Sequence, residues 1–436
     1  MSPFRLCPRL FAFVCALLLL ASAAAQAAGP QPPHSMVVGY LPQWGLYSTP
    51  PWLARELVQG GGAELLDQVN YAQGGVRGGR CVIADPEADL NHVYTAELSV
   101  NGKADLPTAP LRGGLHQLQL VEQRYPRLRA VISLEGQASE FAVAAQPANR
   151  AAFVASCVDM FVRGHLAPGV EAPRLFEGVD VDWEFPHGEE EGANYMALLA
   201  EFRRQLDAVP GARRPVLTVA AGPGTRRYPG VDWAQVAGLV DQVGLMNYDY
   251  NGPWQQQTGM NAPLYPMEGD PRPQNTVDGT VAEYEAAGVP GAKLLLGVPF
   301  YGYHWEGVAP VNHGLFQPGQ SVREDRPYRA IATLVPQSTI YRDERSQTPW
   351  LYDGHTFWTF DDPVSAAAKA RYAAGHGLAG VMVWELSGDT ADAQMLRAIR
   401  TGLKAGAAPP PSAPSAPPPP APAAAGAARL PGSAVQ

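Results

Sequence analysis

Apolar and β-branched residues recur along this chain in short runs that are bounded by glycine, proline or asparagine. Eight of these runs predict strands: Met36–Tyr40, Gln68–Ala72, Arg129–Leu134, Gly178–Glu184, Val216–Ala220, Gln242–Asn247, Leu294–Pro299 and Gly380–Glu385. Between them lie stretches with helical spacing, which are clearest at 148–162, 195–206 and 363–375. Strands that alternate with helices in this way predict an α/β fold, a (β/α)8 TIM barrel, in which chemistry takes place at the carboxyl ends of the strands.

A long segment interrupts this alternation between the seventh and eighth predicted strands. The segment from Trp305 to Thr356 is too long for a simple loop and has its own apolar and aromatic pattern, so we expect a small inserted α+β subdomain at 305–356. The barrel domain as a whole is expected to cover 28–405. Residues 406–436 are almost entirely alanine, proline, glycine and serine, and such a segment has too little apolar surface to fold, which predicts a disordered tail.

The first 27 residues have the order of a secretory signal peptide. Arg5 and Arg9 precede an apolar run over 10–20, and small residues follow up to Ala27. The alternative, a membrane anchor, is disfavoured because the apolar run has only about half the length that spans a bilayer. We therefore expect cleavage after Ala27 and a secreted protein, either extracellular or periplasmic, with no membrane association after cleavage.

Two cysteines, Cys81 and Cys157, follow the predicted signal peptide. In an oxidising compartment they can form a disulfide, but the sequence does not show that they approach each other. Two buried free thiols are an equally good interpretation.

The fourth predicted strand carries an unusual acidic pattern. Asp180, Asp182 and Glu184 alternate with apolar residues, and because successive side chains of a strand point to opposite faces, the three carboxylates share one face. A solvated acidic face is the simplest explanation, but strands of βα units are usually buried on both faces. Neighbouring carboxylates raise each other's pKa, so that one can hold a proton while another stays ionised, as cleavage of a glycosidic bond requires. A divalent-metal site is the competing interpretation.

The acidic strand closely resembles the catalytic signature DGxDxDWE of glycoside hydrolase family 18, the chitinases. Residues 177–184 read EGVDVDWE, and only Glu177 departs, where the family usually has aspartate. The resemblance implies that Glu184 is the general acid and base and that Asp182 and Asp180 form a supporting carboxylate pair. We expect no cofactor, and we expect no metal because the sequence shows no histidine, aspartate or glutamate cluster beyond this strand that would complete a coordination shell.

A second stretch, MNYDYNG at 246–252, resembles the family pattern MxYDxxG at the end of the sixth strand. A tyrosine at a strand end is often simply a core residue, but the resemblance implies that Tyr248 donates a hydrogen bond to the acetamido carbonyl of the substrate and that Asp249 contacts a sugar. Met246 shares the face of Tyr248. Trp254 begins a further stretch that matches chitinase sequences, and we expect it to bind substrate.

The remaining expected site residues are aromatic and lie at strand ends. The resemblance places Tyr40 and Trp384 in the site, with Trp384 as the hydrophobic floor under the sugar that is cleaved, and makes Tyr301 a groove residue. A buried tryptophan is most often core, and only the strand-end positions favour function. Two positions depart from the family: Tyr303 stands where many relatives have arginine, and Glu135 interrupts the common SxGG, with an effect on the groove or on the acid's pKa.

Together these features predict a secreted, retaining, substrate-assisted chitinase that acts on chitin or N-acetylglucosamine oligosaccharides as a monomer. The formal net charge of −9 disfavours nucleic acid and anionic membranes as partners and is compatible with a neutral polymer. The alternatives are an endo-β-N-acetylglucosaminidase that acts on glycans or peptidoglycan, a non-catalytic chitin-binding lectin on the same fold, and a metal-dependent hydrolase.

Overall fold

The computed structural model describes residues 35–211 and 213–407, and the predicted signal peptide and nearly all of the predicted tail lie outside them. Its centre is a closed barrel of parallel strands, β1 to β8, in chain order Met36–Pro42, Gln68–Arg77, Arg129–Glu135, Gly178–Asp182, Val216–Ala221, Gln242–Leu245, Leu294–Pro299 and Gly380–Trp384. Each strand pairs with the next, and β8 pairs with β1 to close the barrel. The predicted (β/α)8 barrel is therefore confirmed.

Helices cover the outside of the barrel. The α-helices are Ala54–Gln59, Gly113–Arg124, Ala138–Ala144, Arg150–Cys157, Gly188–Asp207, Trp233–Leu239, Val277–Ala286, Tyr328–Ile331, Pro363–Gly375 and Gln394–Gly406. The helix that follows β4 buries Tyr195, Leu198 and Phe202 on its inner side, as the helical spacing predicts. Pro363 stands at the first turn of its helix, where a missing N–H does no harm, and the Asp362 side chain caps the same turn.

The two faces of β4 have different surroundings, which explains its alternating sequence. All five of its residues are buried. Just after the strand, Trp183 stacks on Phe141 of the outer layer with ring centroids 5.6 Å apart. The apolar residues thus pack against the helices, and the carboxylates point into the barrel.

The insertion between β7 and β8 is mainly an antiparallel sheet with the short helix Tyr328–Ile331. Its strands are Tyr301–Glu306, Gln320–Ser321, Arg326–Pro327, Thr339–Arg342, Pro349–Tyr352 and Phe357–Thr359. The sheet extends beyond the expected bounds of 305–356 at both ends. It begins almost directly after β7, because the chain turns at Phe300 and continues as a strand.

A disulfide joins Cys81 to Cys157, with the two Cα atoms 5.0 Å apart. Cys81 lies on the strand Arg80–Ile83, which pairs antiparallel with the end of β2, and Cys157 ends the helix Arg150–Cys157. The bond ties the β-hairpin above the barrel to the outer helical layer. Of the two possibilities that the sequence left open, the structure has the paired cysteines.

Replacing both cysteines by alanine should lower the free energy of unfolding by about 4 kcal/mol. The bond closes a loop of 76 residues, and closure of a loop that long removes roughly this much free energy from the unfolded chain. Denaturant unfolding of the wild type and the double variant, each with and without reductant, measures the difference. Reductant should destabilise only the wild type, and a difference below about 1 kcal/mol would contradict the assignment of the bond as a major stabilising element.

Candidate active site

Asp180 lies at the bottom of the site, inside the barrel, and is almost completely buried. Its carboxylate accepts hydrogen bonds from the hydroxyls of Tyr40 at 2.8 Å, Ser133 at 2.9 Å and Thr218 at 2.5 Å. These residues come from β1, β3 and β5, so three other strands hold one side chain of β4. Burial raises the pKa of Asp180, and the hydrogen bonds oppose that rise.

Asp182 lies one step closer to the open end of the barrel. It is buried, yet its Oδ1 atom has no hydrogen-bond partner in the described part of the chain. Burial raises the pKa of Asp182 well above its usual value, and the negative charges of Glu184, Asp180 and Glu135 raise it further. A buried, unsatisfied carboxylate oxygen in the wall of a cleft is a ready acceptor for a donor on a bound molecule.

Glu184 follows the end of β4 and reaches the open cleft. The protein around it still displaces water, and the carboxylates of Glu135 and Asp249 add negative charge, so that its pKa rises to about 7 although Arg227 lowers it. At neutral pH Glu184 is therefore poised between acid and base, which is the property that a general acid needs.

The cleft has a volume of about 480 Å³ and opens at the carboxyl ends of the barrel strands. It brings together the residues that the sequence singled out: Tyr40, Asp182, Glu184, Met246, Tyr248, Asp249, Trp254, Tyr301 and Trp384. Asp180 is the exception, because it lies beneath the cleft and meets it only through its hydrogen-bonded neighbours. Glu177, the departure in the motif, stands before β4 and faces Arg129 and Arg213 at 3.7 and 3.5 Å, away from the cleft.

Asp249 is held by two tyrosines of the insertion. Its Oδ1 accepts hydrogen bonds from the hydroxyls of Tyr301 at 2.6 Å and Tyr303 at 2.9 Å. Its backbone is left-handed, with a φ of 60°, a conformation in which aspartate is enriched, and its N–H donates to the Asn261 side chain at 2.8 Å. The carboxylate is thereby fixed at the cleft wall. Burial raises its pKa, whereas the two tyrosines lower it.

Aromatic rings form the sides of the cleft. Trp384 packs against Tyr40 and Trp44 with centroid distances of 5.3 and 5.9 Å. On the other side Trp254 is 55% exposed and meets Tyr303 at 5.8 Å. Flat, partly exposed rings of this kind suit the apolar faces of pyranose sugars.

Sequence reasoning missed several residues of the site. Ser133 and Thr218 are in register with Asp180 on the neighbouring strands, and a period-2 assignment of all three strands contains the signal that predicts them. Met382 lines the cleft because it shares the inward face of Trp384, which the same rule predicts. Arg227 ends the short 3-10 helix Thr225–Arg227 in the connection after β5, and neither periodicity nor motif marks it.

Within residues 35–211 and 213–407, no group of three or more histidine, cysteine, aspartate or glutamate side chains is arranged to hold a metal ion. In the same part of the chain no helix is both long and apolar enough to cross a membrane.

The sequence of the barrel and its insertion matches the family model described as Glycosyl hydrolases family 18 over residues 36–389. The chain belongs to glycoside hydrolase family 18. Nearly the whole described structure falls inside this match, including every residue of the cleft.

Several proteins named chitinases are similar to this chain over most of its length. Chitinase 63 of Streptomyces plicatus is 30% identical over 86% of this chain, and Chitinase A1 of Niallia circulans is 33% identical over 72%. The chain spans only 62% and 47% of those two proteins. Among solved structures, the catalytic domain of psychrophilic chitinase B from Arthrobacter TAD20 is 31% identical with a TM-score of 0.77, over 86% of this chain and 96% of that one.

We expect the carboxyl group of Glu184 to titrate near pH 7, well above the ordinary range of a glutamate. A raised pKa means that the group is protonated below this pH and ionised above it. Infrared difference spectra of the wild type and Glu184→Gln over a pH series should include the protonated carboxyl band of Glu184, which disappears with this midpoint. A midpoint between 4 and 5 would contradict the electrostatics described above, and Glu189→Gln, on the exposed first turn of the next helix, serves as the control.

Proposed function

We propose that this protein is a secreted chitinase that hydrolyses β-1,4 linkages between N-acetylglucosamine units with retention of configuration. The proposal rests on two carboxylates that lie side by side in the cleft. Glu184 has a pKa of about 7, and the buried Oδ1 of Asp182 has no hydrogen-bond partner among the described residues. Membership of family 18 and similarity to proteins named chitinases support the proposal. Secretion rests on the predicted signal peptide at 1–27, and the monomeric state is part of the proposal.

The first step is protonation of the leaving group. Protonated Glu184 donates its proton to the glycosidic oxygen as the bond from that oxygen to the anomeric carbon breaks. The bonding electrons leave with the oxygen, which becomes the hydroxyl of the departing sugar. Glu184 then carries the negative charge and can act as a base in the second step.

The nucleophile is the acetamido oxygen of the substrate. Asp182 lies two residues before Glu184 on the same strand face, where it is better placed to accept the acetamido N–H on Oδ1 than to attack the opposite face of the anomeric carbon. The Tyr248 hydroxyl makes no hydrogen bond to a described residue, and the ring packs edge-on to Tyr301. It is therefore free to donate to the acetamido carbonyl and orient the oxygen for attack.

The acetamido oxygen bonds to the anomeric carbon and forms a positively charged ring, which the Asp182 carboxylate stabilises. Water then attacks the anomeric carbon from the face that the leaving group vacated, and Glu184 removes its proton. The bond to the acetamido oxygen breaks, and the product has the β configuration of the substrate. Two inversions at one carbon account for retention.

An N-acetylglucosaminidase is the second candidate. The structure of a family 18 N-acetylglucosaminidase from Paenibacillus barengoltzii is 29% identical to this chain with a TM-score of 0.66, over 85% of this chain and all of that one. The two functions differ in their products, since a chitinase releases oligosaccharides and an N-acetylglucosaminidase that acts at chain ends releases single sugars. A product profile on chitin oligosaccharides distinguishes them.

Glu184→Gln should reduce the turnover of chitin oligosaccharides by about 100-fold or more, because the amide N–H is far too weakly acidic to protonate the leaving group. Oligosaccharide binding and the melting temperature should stay close to wild type, since the two side chains have nearly the same shape. Initial rates, calorimetric binding and thermal unfolding measure the three quantities.

Glu189→Gln is the matched control and should leave all three unchanged. If Glu184→Gln kept more than a tenth of the wild-type rate, Glu184 would not be the acid. The wild-type assay is repeated in excess EDTA, where the proposed mechanism retains full activity and a metal-dependent hydrolase loses it.

Partly acetylated chitosan should be cut only where an N-acetylated sugar supplies the anomeric carbon, and fully deacetylated chitosan should not be cut at all. The reason is that the acetyl group carries the nucleophile. Proton NMR of the reducing ends in early hydrolysis identifies both the sugar and the anomer. The first product should be the β-anomer, and either an initial α-anomer or cleavage after free glucosamine would refute substrate assistance.

A further inference from the structure

Glu135 is the last residue of β3 and stands in register with Asp182 on β4 and with Gly75 on β2. It lines the main cleft together with Asp182 and Glu184. It also lines an adjoining cavity of about 250 Å³ that lies beneath the β-hairpin. Glu135 therefore forms part of the wall between the two cavities, at the level of the reactive carboxylates.

The Glu135 carboxylate makes no hydrogen bond and no ion pair with any residue in 35–211 or 213–407. It is half-buried, and burial raises its pKa. A charge held in this way destabilises a fold, because it loses water without gaining a partner. Glu140, the other acidic residue of the adjoining cavity, instead accepts the N–H of Gly78 at 2.7 Å.

Most of the elements around Glu184 contribute a charged or titratable group to the cleft, whereas β8 lines it with the uncharged Met382 and Trp384. The charged or titratable groups are Tyr40 from β1, Glu135 from β3, Asp182 from β4, Arg227 after β5, Tyr248 and Asp249 after β6, and Tyr301 after β7. The tyrosines are neutral, the charge of Asp249 is engaged by two hydroxyls, and Arg227 is exposed to solvent. Asp182 also keeps an oxygen without a partner, but of the acidic side chains in this set Glu135 is the one that lies on a different element from Glu184 and makes no hydrogen bond or ion pair within the described residues.

We propose that Glu135 is a positioning residue for the reaction, whose unpaired negative charge acts through Glu184 and Asp182 and sets the pH range in which the enzyme works. This inference rests on the proposed function. By like-charge repulsion Glu135 keeps a proton on Glu184 to higher pH, so the acid survives further into the alkaline range. The same repulsion delays ionisation of Asp182, so the acidic limit of activity also lies at higher pH.

The signature of this role is a movement of both limbs of the pH profile in one direction. Glu135→Gln removes the charge and keeps the shape of the side chain, so both limbs of kcat/KM should move to lower pH, each by about one unit. On the alkaline limb, a shift of one pH unit lowers kcat/KM about tenfold at a fixed pH. The maximum value of kcat/KM should stay within about threefold of wild type. Glu135→Asp keeps the charge and should hold both limbs near their wild-type positions.

The assay uses a chromogenic glycoside of the N-acetylglucosamine disaccharide, which is neutral, so that the substrate does not titrate. Glu140→Gln removes a charge from the adjoining cavity without facing Glu184 and should leave the profile unchanged. Thermal unfolding of each variant identifies any loss of fold, and Glu135→Asp then tests the role without loss of charge. A lower maximum with unmoved limbs would assign Glu135 to substrate contact and overturn the proposal.

The infrared titration of Glu184 separates this proposal from the proposed function, because it needs no turnover. The midpoint of the Glu184 titration, about pH 7 in the wild type, should move to lower pH in Glu135→Gln and should be unchanged in Glu140→Gln. If the wild type does not cleave the glycoside but Glu135→Gln still lowers the midpoint, the proposed chitinase function is wrong and the electrostatic role of Glu135 stands. If the midpoint does not move, the role of Glu135 is refuted whatever the activity.

Discussion

The barrel has to accommodate three carboxylates that project from one face of a single strand. The structure meets this constraint with a gradient of hydrogen bonding along β4. Asp180, the deepest, is satisfied by three hydroxyls from three other strands. Asp182 keeps an oxygen without a partner among the described residues, and Glu184 reaches the open cleft. Hydrogen bonds within the protein thus fix the inner carboxylate, whereas the outer two remain available to contact a bound molecule.

Much of the fold follows from the sequence because the barrel repeats one simple pattern. Each buried parallel strand is a short apolar run between turn residues, and the eight predicted runs coincide with β1 to β8. The bounds and strands of the insertion, expected as an α+β subdomain at 305–356, do not follow from the sequence, since its sheet begins at Tyr301 and short two-residue strands such as Gln320–Ser321 have no periodicity to detect. The disulfide depends on the distance between a hairpin and a helix that are far apart in the chain, and no local pattern contains that distance.

In the candidate site, too, residues on strands or in recognisable motifs could be predicted from the sequence, and other residues in connecting segments could not. Residues on strands were predictable, because period-2 alternation and the motifs identify which side chains point inward. Arg227 was not, since its place in the cleft depends on the path of the connection after β5. Tyr303 shows a different limit: the sequence marks it only as a departure from the expected pattern, and the structure shows that its hydroxyl helps to hold Asp249. The contact depends on how the strand Tyr301–Glu306 lies against the end of β6, which no local pattern contains.

The strand Tyr301–Glu306 belongs at once to the insertion and to the cleft. Its first residues hold Asp249, and its later residues pair with the strands Gln320–Ser321 and Phe357–Thr359 of the antiparallel sheet. The sheet is therefore a continuation of the site's own scaffold rather than a separate module placed beside it. Exchanging the whole insertion would therefore also exchange the two tyrosines that hold Asp249. The boundary between the residues that hold the cleft wall and the rest of the insertion thus falls inside the sheet, after Tyr303.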